Sequence, residues 1–324
     1  MGEWSDVCVL IPTYNEAAAI GRVLAGFQEQ GFEHVLVIDG GSTDGTREIA
    51  RDHGADVREQ TGSGKGQAIR EAIQFIDQPY VLMLDGDATY RPDEATRMLE
   101  PLLDGEAEHV IGNRFADMES GAMSRLNRFG NRLINRAFRV VHGRDFVDIL
   151  SGYRAFTTQS ARRFALTADG FGIETEMAVE CVKHNVTTEV VPIHYECRPE
   201  EADTNLSPIR DGAVILMTLY RMAKTNNPLF YFGSVGLVST LVGVVLGGYV
   251  AVEWFSRGIS HEVIALVSAL GIIFGVQLLI FGVLSDMIVT LHREQLHYIE
   301  RLTTENQPGE TSRNQSPSEG DERS

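Results

Sequence analysis

The chain has only three cysteines in 324 residues, Cys8, Cys181 and Cys197, spaced for neither a disulfide framework nor a metal site. That fits a reducing compartment. Lysine is as scarce: Lys65, Lys183 and Lys224 are the whole set, so the basic side is almost entirely arginine. Positive charge is itself in the minority, 28 Lys and Arg against 45 Asp and Glu, for a net charge of -17. Such a surface disfavours general nucleic-acid binding and suits plain solubility or a salt-loving host, the latter being the expectation here. The first residues lack the basic, apolar, small-residue order of an export signal, and Asp6 leads straight into the strand-like Val7–Ile11.

Two long runs do stand out. Leu229–Val252 and Val263–Ser285 carry no charged residue, and each is long enough to cross about 30 Å of hydrocarbon as a helix. Gly243 and Gly247, and Gly271 and Gly275, have the small-xxx-small spacing that lets helices approach closely. Arg210, Arg221 and Lys224 precede the first run and Arg293 and Arg301 follow the second, whereas the connection offers only Arg257. This bias predicts a multi-pass cell-membrane protein, two helices forming a hairpin, with both flanks in the cytoplasm. The segment 209–228, where Ile209, Ala213, Leu216, Leu219, Tyr220 and Ala223 share one side, reads as a juxtamembrane amphipathic helix, and 304–324 as a disordered acidic tail.

Residues 1–208 read as one cytoplasmic α/β domain. Val7–Ile11, Val35–Asp39, Tyr80–Leu84 and His109–Gly112 are short apolar runs separated by helix-like stretches, the clearest being Glu16–Gln30. That alternation predicts a mostly parallel sheet with ligands at the carboxyl ends of its strands. Polar clusters fall at those ends: Thr13–Glu16, Asp39–Asp44 and Asp85–Thr89. Asp85-Gly86-Asp87 is the most informative, because two carboxylates after a buried strand can hold a divalent cation against the phosphates of a nucleotide. It is not an EF-hand loop, since Tyr90 and Thr96 stand where glycine and a bidentate glutamate are needed. Gly62–Gly66, with Lys65, could cradle phosphate or be a flexible turn. It is neither a Walker loop, as Glu59 and Gly66 break the pattern, nor a dinucleotide fingerprint, as Gln67 replaces the last glycine.

Taken together, Ile11-Pro12-Thr13-Tyr14-Asn15-Glu16, Ile38–Asp44, Gly64-Lys65-Gly66, Asp85-Gly86-Asp87, Gly112-Asn113-Arg114 and Ser151-Gly152-Tyr153-Arg154 resemble the family 2 glycosyltransferases, in family order over Val7 to about Arg210. Within that family the chain is most similar to the dolichyl-phosphate mannose and glucose synthases. The resemblance implies a GT-A fold, Rossmann-like and mostly parallel, a nucleotide-sugar donor, Mg2+ or Mn2+, and inversion at the anomeric carbon. It implies that Pro12, Tyr14, Glu16 and Asp39 surround base and ribose, with Lys65 and Gly86 also at the donor, and that Asp85 and Asp87 hold metal and diphosphate. Such synthases often carry glutamine as a further metal ligand where this chain has Thr89, whose hydroxyl, or a water, would fill the place. Phosphate-binding arginines are implied at Arg114, Arg128 and Arg198, and Ser151 lies in a loop that closes over the acceptor.

Between Met123 and Val141 the five arginines Arg125, Arg128, Arg132, Arg136 and Arg139 fall within about 80° of helical arc, with no acid among them. Leu126, Phe129, Leu133, Ile134, Ala137, Phe138 and Val141 occupy the adjoining face. A basic amphipathic helix of this kind suits a bilayer surface and a phosphate headgroup. The expected reaction is attack by a dolichyl (polyprenyl) phosphate oxygen on the sugar of UDP-glucose or, next, GDP-mannose, giving dolichyl-phosphate hexose for protein N-glycosylation. With a second pKa of about 6, such a phosphate needs no strong base. A hydroxyl acceptor would need one, for which Asp148, Glu174 and Glu176 are candidates. Asp148 could position groups in either case. A non-catalytic membrane scaffold or translocation partner is a third reading, which the intact acid pair disfavours.

Overall fold

The computed structural model describes residues 4–170, 172–199, 217, 220 and 227–305. They fall into two units, divided after Asn227. The expected juxtamembrane helix lies almost wholly outside the described residues, as does the tail from residue 306 onward.

The first unit opens with β1 (Val7–Thr13), buried at every position. Its run VCVLIPT does not alternate because a central parallel strand is covered on both faces. In α1 (Ala17–Glu29), Ile20, Val23, Leu24 and Phe27 recur at helical spacing and are all buried. Each contributes about 1.5–3 kcal/mol relative to exposure. Gly31, at φ 81°, ends the turn so that the Phe32 N–H reaches the Phe27 carbonyl at 3.1 Å.

The alternation continues through β2 (His34–Asp39), α2 (Thr46–Asp52), β3 (Asp56–Glu59), α3 (Lys65–Ala72) and β4 (Tyr80–Met83). Then follow α4 (Ala95–Leu103), β5 (His109–Met118), α5 (Arg125–His142), β6 (Arg154–Thr157), α6 (Thr158–Arg162), α7 (Ile173–Lys183) and β7 (Thr188–Tyr195). The 7-stranded sheet has the order β3-β2-β1-β4-β6-β5-β7. Only β6 runs against its neighbours. All four strands expected from the sequence are present, β5 running on to Met118.

The strand order reverses between β1 and β4. Their pairing ends at Leu10 opposite Met83, whereas β1 stays on β2 as far as Thr13 opposite Asp39. Pro12 lies in the part of β1 that β4 has left. Backbone groups alternate sides along a strand, and the Leu10 carbonyl accepts from Leu84 of the β4 segment. The N–H that Pro12 lacks would therefore point to that vacated side, which is how a central strand accommodates proline. The divergence opens a crevice at the carboxyl ends of β1 and β4, where α/β sheets bind ligands.

The arginine-rich helix is α5. Ser124 caps it by accepting the Asn127 N–H, and Gly143, at φ 68°, ends it. Its broad apolar face is divided in the folded unit. Ile134 and Phe138 are buried with Phe146, Ile149 and Phe164, and Val141 is buried too, while Leu126 (59% exposed), Phe129 (67%), Leu133 (48%) and Val140 (61%) face outward. Periodicity alone merges these two stripes because they are adjacent on the helix.

The second unit is a pair of helices, α8 (Pro228–Arg257) and α9 (Glu262–Glu305). Pro228–Arg257 and Glu262–Leu291 have mean hydropathies of 2.1 and 2.6 and are long and apolar enough to cross a membrane. Most of their apolar surface faces outward, Val245 being 70% and Ile273 63% exposed, unlike the core helix of a water-soluble protein. The two pack through small residues. A Cβ on Gly243 would lie 2.8 Å from the Ser268 carbonyl, and one on Gly275 2.5 Å from the Gly236 carbonyl. Across the seam the Ser268 hydroxyl donates to the Gly243 carbonyl (2.7 Å) and the Ser239 hydroxyl to the Gly271 carbonyl (2.8 Å).

Gly275→Val should therefore force the pair apart and destabilise it by roughly 1–3 kcal/mol, read as an earlier thermal loss of helical circular dichroism in detergent. Gly248→Val, whose Cβ meets nothing within 4 Å, should leave that transition in place. Equal transitions in both variants would show that the helices do not pack through this face.

Candidate active site

At the crevice two of the three polar turns, those after β1 and β2, are laced together. The Asn15 N–H donates to the Ser42 hydroxyl (2.8 Å), the Glu16 N–H to the Thr46 hydroxyl (2.9 Å) and the Ala17 N–H to Asp44 (3.0 Å). Asp39, without exposed surface, accepts from the Gly41 and Ser42 N–H groups, the Ser42 hydroxyl and the Thr13 hydroxyl at 2.6–3.1 Å. The resemblance assigned Asp39 to the nucleotide, but here its carboxylate organises the turn. Pro12 is likewise buried in the strand, while Tyr14, 49% exposed, stands on the rim.

The third turn places Asp85 and Asp87 beside β1. Gly86 is tight there, because a Cβ would lie 3.0 Å from the Thr13 side chain. Asp87 is 6% exposed and saturated. Its Oδ1 accepts the Thr89 hydroxyl (2.6 Å) and N–H (3.1 Å), and its Oδ2 accepts the Arg198 guanidinium (2.5 Å). Thr89, expected to touch the metal, here acts through Asp87 by orienting its carboxylate. Lys65 bridges Asp85 and Glu174, the latter at 2.5 Å. Burial works against the Lys65 ammonium, but Asp85 and Glu174 outweigh it and hold its pKa above the ordinary lysine value. Burial also raises the Asp85 carboxyl, with Lys65 opposing and Asp87 and Glu174 adding.

Glu16 completes the cluster, its Oε1 3.7 Å from Arg198 and its buried Oε2 without a hydrogen-bond partner. Burial pushes its carboxyl up to about 7 against the pull of Arg198, and Asp87, Asp85 and Asp44 add to the rise. Among the described residues no three His, Cys, Asp or Glu side chains form a metal cage. Two adjacent carboxylates with an orphaned third oxygen nearby fit a hard cation that takes its remaining ligands from water and phosphate, as Mg2+ and Mn2+ do.

The Gly62–Gly66 turn is tied to the segment after α6. Its neighbouring N–H groups on Gly66 and Gln67 donate to the Asp169 carbonyl (2.9 and 3.3 Å), and that of Ser63 to Gln67 (2.6 Å). Gly64 and Gly66 are glycine because the Asp169 and Ala168 carbonyls occupy the space of a side chain.

A second cluster lies at the end of β5. Arg114 grips Asp148 with two side-chain bonds of 2.8 Å and its backbone N–H at 3.2 Å, all buried. Asp148 has no exposed surface and Arg114 only 7%. Glu176 is also engaged, accepting from Thr167 and Ala168 at 2.7–2.9 Å. Ser151 is fully buried as well, and its hydroxyl has no hydrogen-bond partner. The loop it belongs to is tied to the acid turn through the Gly152 N–H, which donates to the Tyr90 hydroxyl (2.9 Å). Gly152 has no room for a Cβ because Asp85 is there.

Arg154, whose role the sequence did not reveal, fixes this loop from below. Fully buried, it donates to the carbonyls of Ile149 (2.7 Å) and Ser151 (3.0 Å) and to His109 Nε2 (3.1 Å). Burial and the arginine hold His109 well below its ordinary pKa, so the ring stays neutral and accepts. An arginine at the head of an apolar strand was the available signal.

On α5, Arg128 touches the Met118 sulfur (3.1 Å) and Arg132 is exposed. Among the described residues Arg139 pairs with Asp145, while Arg125, Arg128, Arg132 and Arg136 have no acidic partner. Glu16, Lys65, Asp85, Asp87 and Arg198 thus form one cluster, Arg114 and Asp148 a buried support beside it, and Arg128 and Arg132 part of an open cationic face.

The model of the family described as Glycosyl transferase family 2 matches residues 8–165. Glycosyltransferase AglJ of Haloferax volcanii is 65% identical over 297 residues, which is 91% of this chain and 98% of that protein. A dolichyl-phosphate hexose transferase of the same species is 34% identical, covering 65% of this chain and 91% of the relative. Glucosyl-3-phosphoglycerate synthase from Mycobacterium tuberculosis, solved with Mn2+, uridine-diphosphate-glucose and phosphoglyceric acid, matches with a TM-score of 0.55 at 22% identity, over 67% of this chain and 79% of that one. That likeness shows the fold, which is GT-A.

The raised Glu16 carboxyl sets a pH dependence. Its folded value of about 7 exceeds the ordinary 4.5, so the stability linked to its proton is complete below pH 4.5 and is lost as pH rises through 7. Glu16→Gln should therefore match the wild type near pH 5 and melt at higher temperature than it near pH 8. A difference in Tm that does not change between pH 5 and 8 would refute the assignment.

Proposed function

The chain belongs to the family 2 glycosyltransferases, and on that premise we propose that it transfers a hexose, with inversion, from a nucleotide sugar to a polyprenyl phosphate of the dolichyl type. UDP-glucose is the first donor to try and GDP-mannose the second, because the sequence likeness is to archaeal synthases of this kind. The observation that carries the acceptor is α5, where arginines without acidic partners run beside the outward-facing Leu126, Phe129, Leu133 and Val140. An anionic headgroup and its apolar chain would meet both stripes at once.

In this reading Asp85 and Asp87 hold Mg2+ or Mn2+, which supplies charge stabilisation to the departing nucleoside diphosphate. Tyr14 and Glu16 face base and ribose. Arg128 and Arg132 bring in the phosphate of the lipid, whose oxygen attacks the anomeric carbon as the bond to the diphosphate breaks. An ionised phosphate needs no base, and Asp148, Glu174 and Glu176 are already engaged by Arg114, Lys65 and Thr167. That is the argument against a hydroxyl acceptor, the runner-up reading. The two apolar helices would anchor the catalytic unit, and the arginine bias of their flanks supports a cytoplasmic site. The product would feed protein N-glycosylation.

The test is to incubate the membrane-embedded protein with dolichyl phosphate and labelled UDP-glucose, GDP-mannose or UDP-N-acetylglucosamine, with and without EDTA, and count label in extracted lipid. One donor should label the lipid only without EDTA. Asp87→Ala should lose on the order of 10² or more in rate, whereas Arg128→Ala should raise KM for the lipid about tenfold with kcat largely kept. No labelling from any donor in high salt with added Mn2+ would favour the hydroxyl acceptor.

A further inference from the structure

We propose that Arg198 is a resident counter-ion which Asp87 gives up when a divalent cation binds, so that loading the metal site and freeing a guanidinium for phosphate are one event. This rests on the metal-site reading of Asp85 and Asp87. The two oxygens of Asp87 are not equivalent. Oδ1 is held by neutral donors, the Thr89 hydroxyl and N–H, whereas Oδ2 is held by a cation, Arg198 Nη2 at 2.5 Å. A divalent cation approaching this carboxylate must take Oδ2, and it repels the guanidinium already there. One carboxylate oxygen cannot neutralise both.

The other resident cation is placed differently. Lys65 keeps Glu174 when Asp85 is drawn to a metal, so it has no reason to leave. A further carboxylate facing Arg198 is Glu16, farther off at 3.7 Å. It is a weak substitute for Asp87. Arg198 also reaches solvent. Its side chain is 25% exposed, while the backbone beside it is pinned by the Cys197 N–H donating to Glu119 at 2.7 Å. The guanidinium can swing without the strand end shifting. Displaced from Asp87 at this rim, it is suited to phosphate oxygens, which match its planar fork. Two phosphates meet here in the proposed reaction, the donor's diphosphate and the lipid's monophosphate.

The experiment uses the full-length protein in nanodiscs and the electron paramagnetic resonance of Mn2+, with no sugar transfer. Arg198→Ala should bind free Mn2+ about tenfold more tightly than the wild type, because the competing charge is gone, and Arg198→Lys should not. At saturating Mn2+, calorimetry with UDP and, separately, with dolichyl phosphate identifies which phosphate takes the guanidinium. The arm that weakens in Arg198→Ala is the recipient. Unchanged Mn2+ affinity in Arg198→Ala, or no weakening in either arm, would overturn the exchange. Asp87→Asn distinguishes the two levels: if it takes up Mn2+ like the wild type, the metal-site reading itself fails, and if it loses Mn2+ while Arg198→Ala is unchanged, only the exchange fails.

Discussion

Negative charge concentrated where β1 and β4 part is the constraint on which the catalytic unit depends. Glu16, Asp85, Asp87 and Glu174 meet in a largely buried place, where uncompensated carboxylates would either pick up protons or push the turns apart. Two cations from distant parts of the chain prevent this. Lys65, at the start of α3, bridges Asp85 and Glu174, and Arg198, beyond β7, covers Asp87 and approaches Glu16. Glu16, with the poorest compensation, is the carboxyl whose pKa burial pushes up to about 7. In a chain with three lysines and a net charge of -17, placing one lysine here is a selective use of scarce positive charge.

The support for this charged turn is likewise built from buried polar groups that hold one another. Asp148 is held by Arg114, the carbonyls of Ile149 and Ser151 by Arg154, and Gly152 by Tyr90. The loop from Asp148 to Tyr153 therefore connects three things: the end of β5, the acid turn after β4, and α5, whose Asn135 accepts the Ile149 N–H at 2.9 Å. A shift in any one strains the bonds to the others. Such networks rigidify a site when complete.

Several elements were legible from residues alone for plain reasons. The strands and α1 follow from apolar periodicity, and the small-residue seam of α8 and α9 from glycine spacing, because both depend on local geometry that repeats along the chain. The motif order carried the family. Orientation was less legible. Periodicity put seven apolar residues of α5 on one face, yet Ile134, Phe138 and Val141 turn inward while Leu126, Phe129 and Leu133 turn outward. Asp39, Asp148 and Ser151 read as ligand contacts, and the structure buries all three, a depth that spacing does not encode.

Residue order thus determined which segments become strand, helix or apolar span and which acids end the strands, since those properties are set by neighbours within a few positions. Tertiary structure alone decided which cation faces which carboxylate. Lys65 meets Glu174, and Arg198 meets Asp87, only after the sheet has crossed over between β1 and β4 and brought α7 and β7 to the same edge. Pairing across such separations depends on where whole elements pack, and burial then decides whether a carboxylate is open to a ligand or closed within the fold.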